Sequence, residues 1–362
     1  MERSKMKQQA PYIFHGHDVS YYSGKVRPAF PQKNLWVREV LPDIREIKRR
    51  TGMAMFPVVV TPEDELWQDT SDILDRLEAL HPEPPLYPTT PVQRVVSYLM
   101  ELYGDEIGAL PAMHYRWSFD ESIEKVVVDF SMPTGDSEGG HGFAKKMRGA
   151  LPFLGVTSET IPAIEAHTAE LLDHLSEHFT SHRYLLGDAM SLADCGLMGP
   201  LYGHLFRDAV PSKLLYTTAF QVCAWIERMN RPPRDQAGWL PDDALPETLR
   251  PVLSTMADGV PMLVAAVEAI DAFASEQAQT GEPIPRGFPG LVARYRDVEF
   301  VGAVRPYTLW MVQRSLDAYR SLTQPERAQV DAALAGTGWE PLLGLEPVHR
   351  LKRAPYQLVW EP

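Results

Sequence analysis

The chain has 362 residues, a formal net charge of −13 and an isoelectric point near 5.3. This acidity argues against nucleic acids and anionic membranes as partners, because both would repel the chain. The length is sufficient for two or three domains, and a hydrophobic content of 44% can form their cores.

Both cysteines, Cys195 and Cys223, lie in apolar stretches with a helical pattern. A disulfide framework or a cysteine-based zinc site is therefore not expected, whereas a reducing compartment is. The polar N-terminus lacks the apolar core of a signal peptide. The most apolar run, Val260 to Ile270, is too short to span a bilayer. We therefore expect a soluble cytoplasmic protein without a membrane partner.

Residues 1–88 alternate between strand and helix patterns. Pro57 interrupts the third strand and predicts a break in it. Strands are predicted at Tyr12–His15, Leu35–Val40 and Met53–Val60, and helices at Pro42–Arg50 and Asp69–Leu80. This order predicts a compact α/β domain with short connections.

A proline-rich stretch, His81–Pro91, cannot continue a helix and predicts a linker. The residues that follow it, 89–232, have helical periodicity. Helices are predicted there at Val92–Tyr103, Ile161–Phe179, Ser191–Leu205 and Ala219–Met229. We therefore expect a second, all-helical domain.

A second segment rich in helix breakers, Arg231–Pro251, predicts another boundary, so residues 233–362 form an extension. The extension is predicted to be mostly helical. Its helices are expected at Leu253–Gln277, Arg305–Leu322 and Pro325–Ala335. The glycine-rich run Gly135–Gly142 lacks the ending of a phosphate-binding loop and predicts a flexible loop.

Three short motifs resemble the glutathione S-transferase superfamily. SYYSGKVR (Ser20–Arg27) is similar to that family's S-x-x-S-x-R-V-R segment. MFPVV (Met55–Val59), followed by LWQDTSDIL (Leu66–Leu74), is similar to its V-P-x-L strand and L-x-E-S-x-x-I-L helix start. YLLGDAMSLAD (Tyr184–Asp194) is similar to the Y-L-x-G-x-x-x-S-x-A-D motif of its helical domain. The extension has no counterpart in this resemblance.

The resemblance implies a thioredoxin-like N-terminal domain, an all-helical C-terminal domain and, usually, a homodimer. It implies glutathione as the co-substrate, no metal, and a small hydrophobic electrophile that the glutathione thiolate attacks. Two other functions stay open. One is a non-catalytic protein of the same fold that binds ligands or partners, and the other is a glutathione-dependent lyase or isomerase.

In this family pattern Ser20 stands where a hydroxyl activates the glutathione thiol, and Ser23 lies one helical turn further on. The same serines would also cap an ordinary helix, and the two roles are compatible. Pro28 and Pro31 fall where the first helix should continue. The helix is therefore predicted to be short or kinked.

Four further residues correspond to the family's glutathione site. If Pro57 follows a cis peptide bond, as the family position implies, the Phe56 backbone can pair with the cysteinyl unit of glutathione. A proline at an edge strand is the alternative. Asp69 and Thr70 align with the Glu-Ser pair that binds the γ-glutamyl group, and they would equally serve as a helix cap.

The segment MHYRWSF, residues 113–119, puts aromatic, imidazole and guanidinium groups on a predicted helix. With Tyr22, its residues His114, Arg116 and Trp117 form a candidate pocket for the second substrate. A contact between helices that contains a buried, paired Arg116 is an equal alternative.

His174 and His178 match the H-x-x-E-H pattern of some zinc peptidases, but no third ligand is indicated. A solvated flank of a long helix is the favoured interpretation. Ser191 and Asp194 predict a capping box at the start of a buried helix, which is a structural role.

Overall fold

The computed structural model describes residues 10–132, 136–277 and 281–361. Its N-terminal part contains a four-stranded sheet in the order β2-β1-β3-β4, in which β1 and β2 are parallel and the other neighbours antiparallel. The strands are β1 (Tyr12–His15), β2 (Val37–Val40), β3 (Val58–Val60) and β4 (Leu66–Gln68), and the helices are α1 (Tyr21–Val26), α2 (Ala29–Gln32), α3 (Ile44–Thr51) and α4 (Thr70–Leu80). The predicted thioredoxin-like domain is thereby confirmed.

The prolines shape two elements of this domain. α1 ends at Val26, and the chain resumes as α2 after Pro28, which confirms the short first helix. The Phe56–Pro57 peptide bond is cis. β3 begins only after Pro57, so the strand predicted from Met53 onward is shorter than expected.

The middle of the chain is built from helices, as predicted. They are α5 (Pro91–Leu102), α6 (Ala109–Trp117), α7 (Asp120–Ser131), α8 (Ser137–Ala150), α9 (Ile161–Ser181), α10 (Leu192–Met198), α11 (Ala209–Thr218) and α12 (Phe220–Asn230). Two π-helical segments, Tyr103–Ile107 and Gly199–Phe206, continue α5 and α10. Ser191 and Asp194 form the predicted capping box.

The predicted glycine-rich loop is wrong for residues 137–142, which belong to α8. The Asp136 carboxylate accepts a hydrogen bond from the Gly139 N–H at 2.8 Å and caps the helix. This cap satisfies a free N–H group of the first turn and so offsets the low helix propensity of the glycines. Gly135, the first residue of the predicted loop, lies outside the described residues.

The extension contains the helices α13 (Leu249–Met256), α14 (Val260–Gln277), α15 (Tyr307–Arg320), α16 (Gln324–Leu334) and α17 (Glu340–Leu343). It also contains two antiparallel hairpins that were not predicted, β5 (Phe288–Tyr295) with β6 (Val298–Val304), and β7 (Leu351–Ala354) with β8 (Gln357–Trp360). Arg296 and Tyr356 take the positive φ angles in their turns. Both turns therefore lack the Asn-Gly or Asp-Gly signal that announces a hairpin in a sequence.

The main apolar core contains residues from all three parts of the described chain, from Tyr12 in β1 to Trp360 in β8. The extension therefore packs on the two preceding parts as an integral piece of the fold. By length and composition the helical stretch Leu249–Gln277 could cross a membrane, but 61% of its most apolar window is buried inside the structure. Such burial is typical of a core helix.

Candidate functional site

A cavity of about 450 Å³ lies between the N-terminal domain and the extension. Its first wall is formed by Tyr22 on α1, by Met53 and Met55, which precede β3, and by Gln68 and Asp69, where β4 meets α4. Its second wall comes from the extension and includes Arg286, Arg305, Tyr307, Arg353 and Tyr356. A ligand in this cavity would contact both parts of the chain.

Asp69 lies in the first wall with a backbone conformation (φ 82°, ψ 126°) that is strained for a residue other than glycine. One carboxylate oxygen caps α4 by accepting from the N–H groups of Ser71 and Asp72, both at 3.1 Å. The other accepts from the Tyr307 hydroxyl at 2.7 Å and lies 2.9 Å from an Arg353 nitrogen. Asp69 is therefore a helix cap that also holds the extension in place.

Glu106 forms the second ion pair of the cavity. It comes from the π-helical segment after α5, is buried, and accepts from Arg305 at 2.8 Å and from the Thr308 hydroxyl at 2.5 Å. The negative charge of Glu106 raises the pKa of Arg305 above its ordinary value. We refer to the residues of these two ion pairs, with Tyr307, as the cavity cluster: Asp69, Glu106, Arg305, Tyr307 and Arg353.

The turn of the β7–β8 hairpin covers the loop that contains Pro57. Tyr356 packs with the half-buried Phe56 against a small apolar cluster of the N-terminal sheet and α3, formed by Ile47, Val58 and Leu66. Pro57 and Thr70 are both buried. The extension thus reaches the segment where the resemblance places the cysteinyl unit of glutathione.

Ser20 is the N-cap of α1, where its Oγ accepts from the Ser23 N–H at 3.2 Å. Its side chain is buried, and the cavity wall contains Tyr22 rather than Ser20. Burial, together with Asp105 and Glu106, raises the pKa of Tyr22. The Tyr22 phenol therefore keeps its proton near neutral pH and can donate a hydrogen bond.

The candidate pocket residues of α6 lie elsewhere. Arg116 is buried and donates to both oxygens of Asp208, at 2.7 and 3.0 Å, and to the Val19 carbonyl at 2.7 Å. His114 and Trp117 are also buried, and none of the three lines the cavity. Their arrangement corresponds to the alternative of a buried, paired arginine, which here fixes the loop that leads into α1.

The two histidines of the H-x-x-E-H pattern contact α13 and the residue that precedes it. His174 bonds the Thr255 hydroxyl at 3.0 Å, and the buried His178 bonds the Thr248 hydroxyl at 2.9 Å and the Tyr184 carbonyl at 3.2 Å. The predicted solvated flank is therefore wrong for His178, because the extension covers it. Within the described ranges, no group of three His, Cys, Asp or Glu residues is placed to hold a metal ion.

A second, largely buried set of charges joins α1, α4, α5 and the segment that follows α5 to α15 of the extension. Lys25 is fully buried, 2.8 Å from Glu101 and 2.6 Å from Asp105. Arg314 of the extension lies 3.2 Å from Glu101 and 2.6 Å from Asp75. Burial disfavours the charged Lys25, but Asp105 and Glu101 raise the pKa of Lys25 above its ordinary value. We refer to these five residues as the junction network.

Sequence reasoning missed the extension's share of the cavity. Arg286, Arg305 and Arg353 are scattered along the extension, and Tyr307 begins an ordinary helix. No motif relates them to Asp69, since only the packing of the extension brings them together. The only indication in the sequence was the motif Leu66–Leu74 around Asp69, which marks the wall opposite these residues of the extension.

Two family models match the chain. The glutathione S-transferase N-terminal domain matches residues 14–85, and the glutathione S-transferase C-terminal domain matches residues 153–233. A search of curated proteins found no match to this chain.

Several solved structures resemble the fold. A glutathione S-transferase from Rhodospirillum rubrum is 18% identical, with a TM-score of 0.43 over 65% of this chain and 96% of that one. A glutathione S-transferase from Methylobacterium radiotolerans in complex with glutathione sulfonate is 19% identical, with a TM-score of 0.40 over 62% and 92%. The beta-etherase LigF from a Sphingobium species is 17% identical, with a TM-score of 0.43 over 62% and 96%. From the two domain matches, we conclude that this chain carries both domains of the glutathione S-transferase superfamily, joined to an extension that neither family model covers.

Proposed function

We propose that the chain binds glutathione in the cavity and uses its thiolate to attack a small hydrophobic electrophile. The observation that carries this proposal is the strained Asp69, which stands at the N-terminus of α4 in the wall of the cavity. Strain of this kind persists only where the surrounding structure maintains it, and it clusters at ligand sites. Asp69 and Thr70 would hold the γ-glutamyl end, and the Phe56–Pro57 loop would pair with the cysteinyl unit.

The charge of the cavity supports the same ligand. Three arginines and two carboxylates line it, which leaves one positive charge in excess. Glutathione carries two carboxylates and one ammonium group near neutral pH, so it has one negative charge in excess. The methionines and tyrosines of the walls leave an apolar surface for the electrophile.

The chemistry requires a thiolate. A free thiol has a pKa near 8.5, so lowering that pKa by two units needs about 2.7 kcal/mol of preferential stabilisation. A hydroxyl that donates to sulfur can supply it, and Ser20 at the start of α1 is our first candidate, with Tyr22 as the second. The thiol gives its proton to water, the sulfur forms a bond to the electrophilic carbon, and the leaving group departs with its bonding electrons.

The same proposal includes a homodimer and a reducing cytoplasmic location. The resemblance to a family of dimers supports the first. The two buried free cysteines, Cys195 and Cys223, are compatible with the second.

A second function, binding without turnover, is favoured by two observations, the position of Ser20 and the pairing of Asp69. Ser20 caps α1 and is not part of the cavity wall, and Asp69 is already paired with Arg353. In that case the chain would bind glutathione or a similar anion without activating a thiol.

Calorimetry with glutathione tests the binding, and Asp69→Asn is the informative variant. Asparagine also caps helices well, so the fold is retained while the charge that would hold the ammonium group is lost. We expect affinity to fall by tenfold or more, whereas Asp43→Asn, at the cap of α3, should bind like the wild type.

An assay of thiol consumption with an aryl chloride then separates the two functions. Turnover supports the transferase, and binding without turnover of this or other electrophiles supports the binder. If the wild-type chain does not bind glutathione, both the transferase and the glutathione-binding protein are excluded.

A further inference from the structure

Arg286 differs from the other arginines of the cavity. Arg305 and Arg353 are each paired with a carboxylate. Within the described part of the chain, Arg286 forms no ion pair, and its guanidinium contacts the sulfur atoms of Met53, at 3.0 Å, and Met55. A thioether is a weak acceptor without charge, so the positive charge of Arg286 stays available to an anion.

The backbone around Arg286 is anchored to the β7–β8 hairpin. The Ile284 N–H donates to the Leu358 carbonyl, and the Trp360 N–H donates to the Glu282 carbonyl, both at 3.3 Å. Pro283 and Pro285 restrict the same segment. Arg286 is therefore presented at the cavity by a segment with little freedom, although its side chain is exposed.

The positions of Asp69, Phe56 and Arg286 indicate which end of a bound tripeptide Arg286 can contact. An extended tripeptide is about 10 Å long. If its γ-glutamyl end lies at Asp69 and its cysteinyl unit at Phe56, its glycyl end reaches the methionines that precede Phe56. Arg286 lies against these methionines, and guanidinium groups bind carboxylates in two parallel hydrogen bonds.

We infer that Arg286 of the extension binds the glycyl carboxylate of glutathione and so completes the site that the N-terminal domain begins. This inference rests on the proposed function, since it assigns one end of the same ligand. It makes the extension a determinant of specificity: the chain selects thiols that carry a carboxylate at this end.

A cycle that changes both protein and ligand tests the assignment. Calorimetry compares glutathione with its glycyl monoethyl ester, in which only this carboxylate is neutralised, on the wild type and on Arg286→Gln. Arg294→Gln is the matched control, because Arg294 is an exposed arginine on β5 that pairs with Glu299 and does not line the cavity.

We expect the wild type and Arg294→Gln to bind glutathione 10- to 30-fold more tightly than the ester. Arg286→Gln should bind both ligands equally, at the affinity that the wild type has for the ester. Equal binding of both ligands by the wild type, or an unchanged preference in Arg286→Gln, overturns the inference while leaving the proposed function intact. If the wild type binds neither ligand, the proposed function is overturned as well.

Discussion

Two of the sets of charges at which the extension meets the two superfamily domains use the same chemistry in different surroundings. In the junction network, Lys25 and Glu101 are fully buried and Arg314 is 9% exposed. In the cavity cluster, Asp69 is 12% and Arg353 20% exposed, and both face open space. Lys25 and Glu101 are closed to any ligand, although Asp75 at the edge of the junction network is 41% exposed. Asp69 and Arg353 can exchange a partner for a ligand.

This difference indicates what each set does. Buried charges cannot be left without a partner, so the junction network fixes how α1, α5 and α15 pack together. Partly exposed charges are screened by water, so the pair of Asp69 and Arg353 in the cavity cluster contributes less to stability. We therefore expect substitutions in the junction network to change mainly stability, and substitutions in the cavity cluster to change mainly binding.

The largest effect is expected for Lys25→Met. It leaves Asp105 buried without a cation and leaves Glu101 with Arg314 alone, and removal of one partner from such a pair costs about 3–5 kcal/mol. Urea unfolding would measure the loss. Lys125→Met, which breaks a partly exposed pair with Asp129 within α7, should change stability by less than about 0.5 kcal/mol. Similar values for the two variants would contradict the role of the junction network.

A direct test of the comparison pairs Arg314→Met with Arg353→Met, two arginines of the extension that each bind a carboxylate. Arg314→Met should lose about 3 kcal/mol of unfolding free energy because Glu101 stays buried. Arg353→Met should lose only about 1 kcal/mol because water reaches its partner. Glutathione affinity should change in the opposite order, and equal losses of stability would show that the two sets are not distinct.

A pH dependence is expected where the extension covers His178. Burial lowers the pKa of His178 to about 4 from an ordinary value of 6.5. Between pH 6.5 and pH 4 the unfolded chain takes up a proton that the folded chain does not, so stability falls as the pH drops, by about 1.6 kcal/mol between pH 6.5 and pH 5.

Unfolding at several pH values would measure the contribution of His178 to the pH dependence of stability, as the difference between the wild type and His178→Gln. The variant should lose part of the pH dependence in that window. His141→Gln, which removes an exposed histidine on α8, should keep all of it. An unchanged slope in His178→Gln would contradict the buried position.

The smallest effect on stability is expected for Ser20→Ala. Loss of the α1 cap should cost about 1 kcal/mol, and under the proposed function most thiol activation should disappear at the same time. Ser23→Ala keeps the N–H that bonds Ser20 and should have little effect on activity. If Ser20→Ala is as active as the wild type and Tyr22→Phe is not, the activating hydroxyl belongs to Tyr22.

The backbone features of the N-terminal domain around the cavity could be predicted from the sequence because their determinants are local. A cap at Asp69, a proline at position 57 and the prolines that end α1 all act on the few residues around them. The alternation of strands and helices likewise depends on periodicity within short windows. For these elements, side chains along a short segment decide the backbone.

The candidate pocket on α6 shows where such reasoning stops. The sequence placed His114, Arg116 and Trp117 on a helix, which α6 confirms, but it left open whether they face a substrate or another helix. Asp208, 92 positions after Arg116, pairs with that arginine, and no local pattern relates the two residues.

By itself, the sequence determined the α/β character of the first domain, the helical character of the second, several of their elements and the helix cap at Asp69, because each depends on neighbours along the chain. Only the tertiary structure decided that Arg353 and Tyr307 bind Asp69, that Arg286 lies against Met53 and Met55, and that the extension forms the second wall of the cavity. Contacts between residues so far apart depend on how whole helices and hairpins pack. That packing follows from the shared apolar core rather than from any motif.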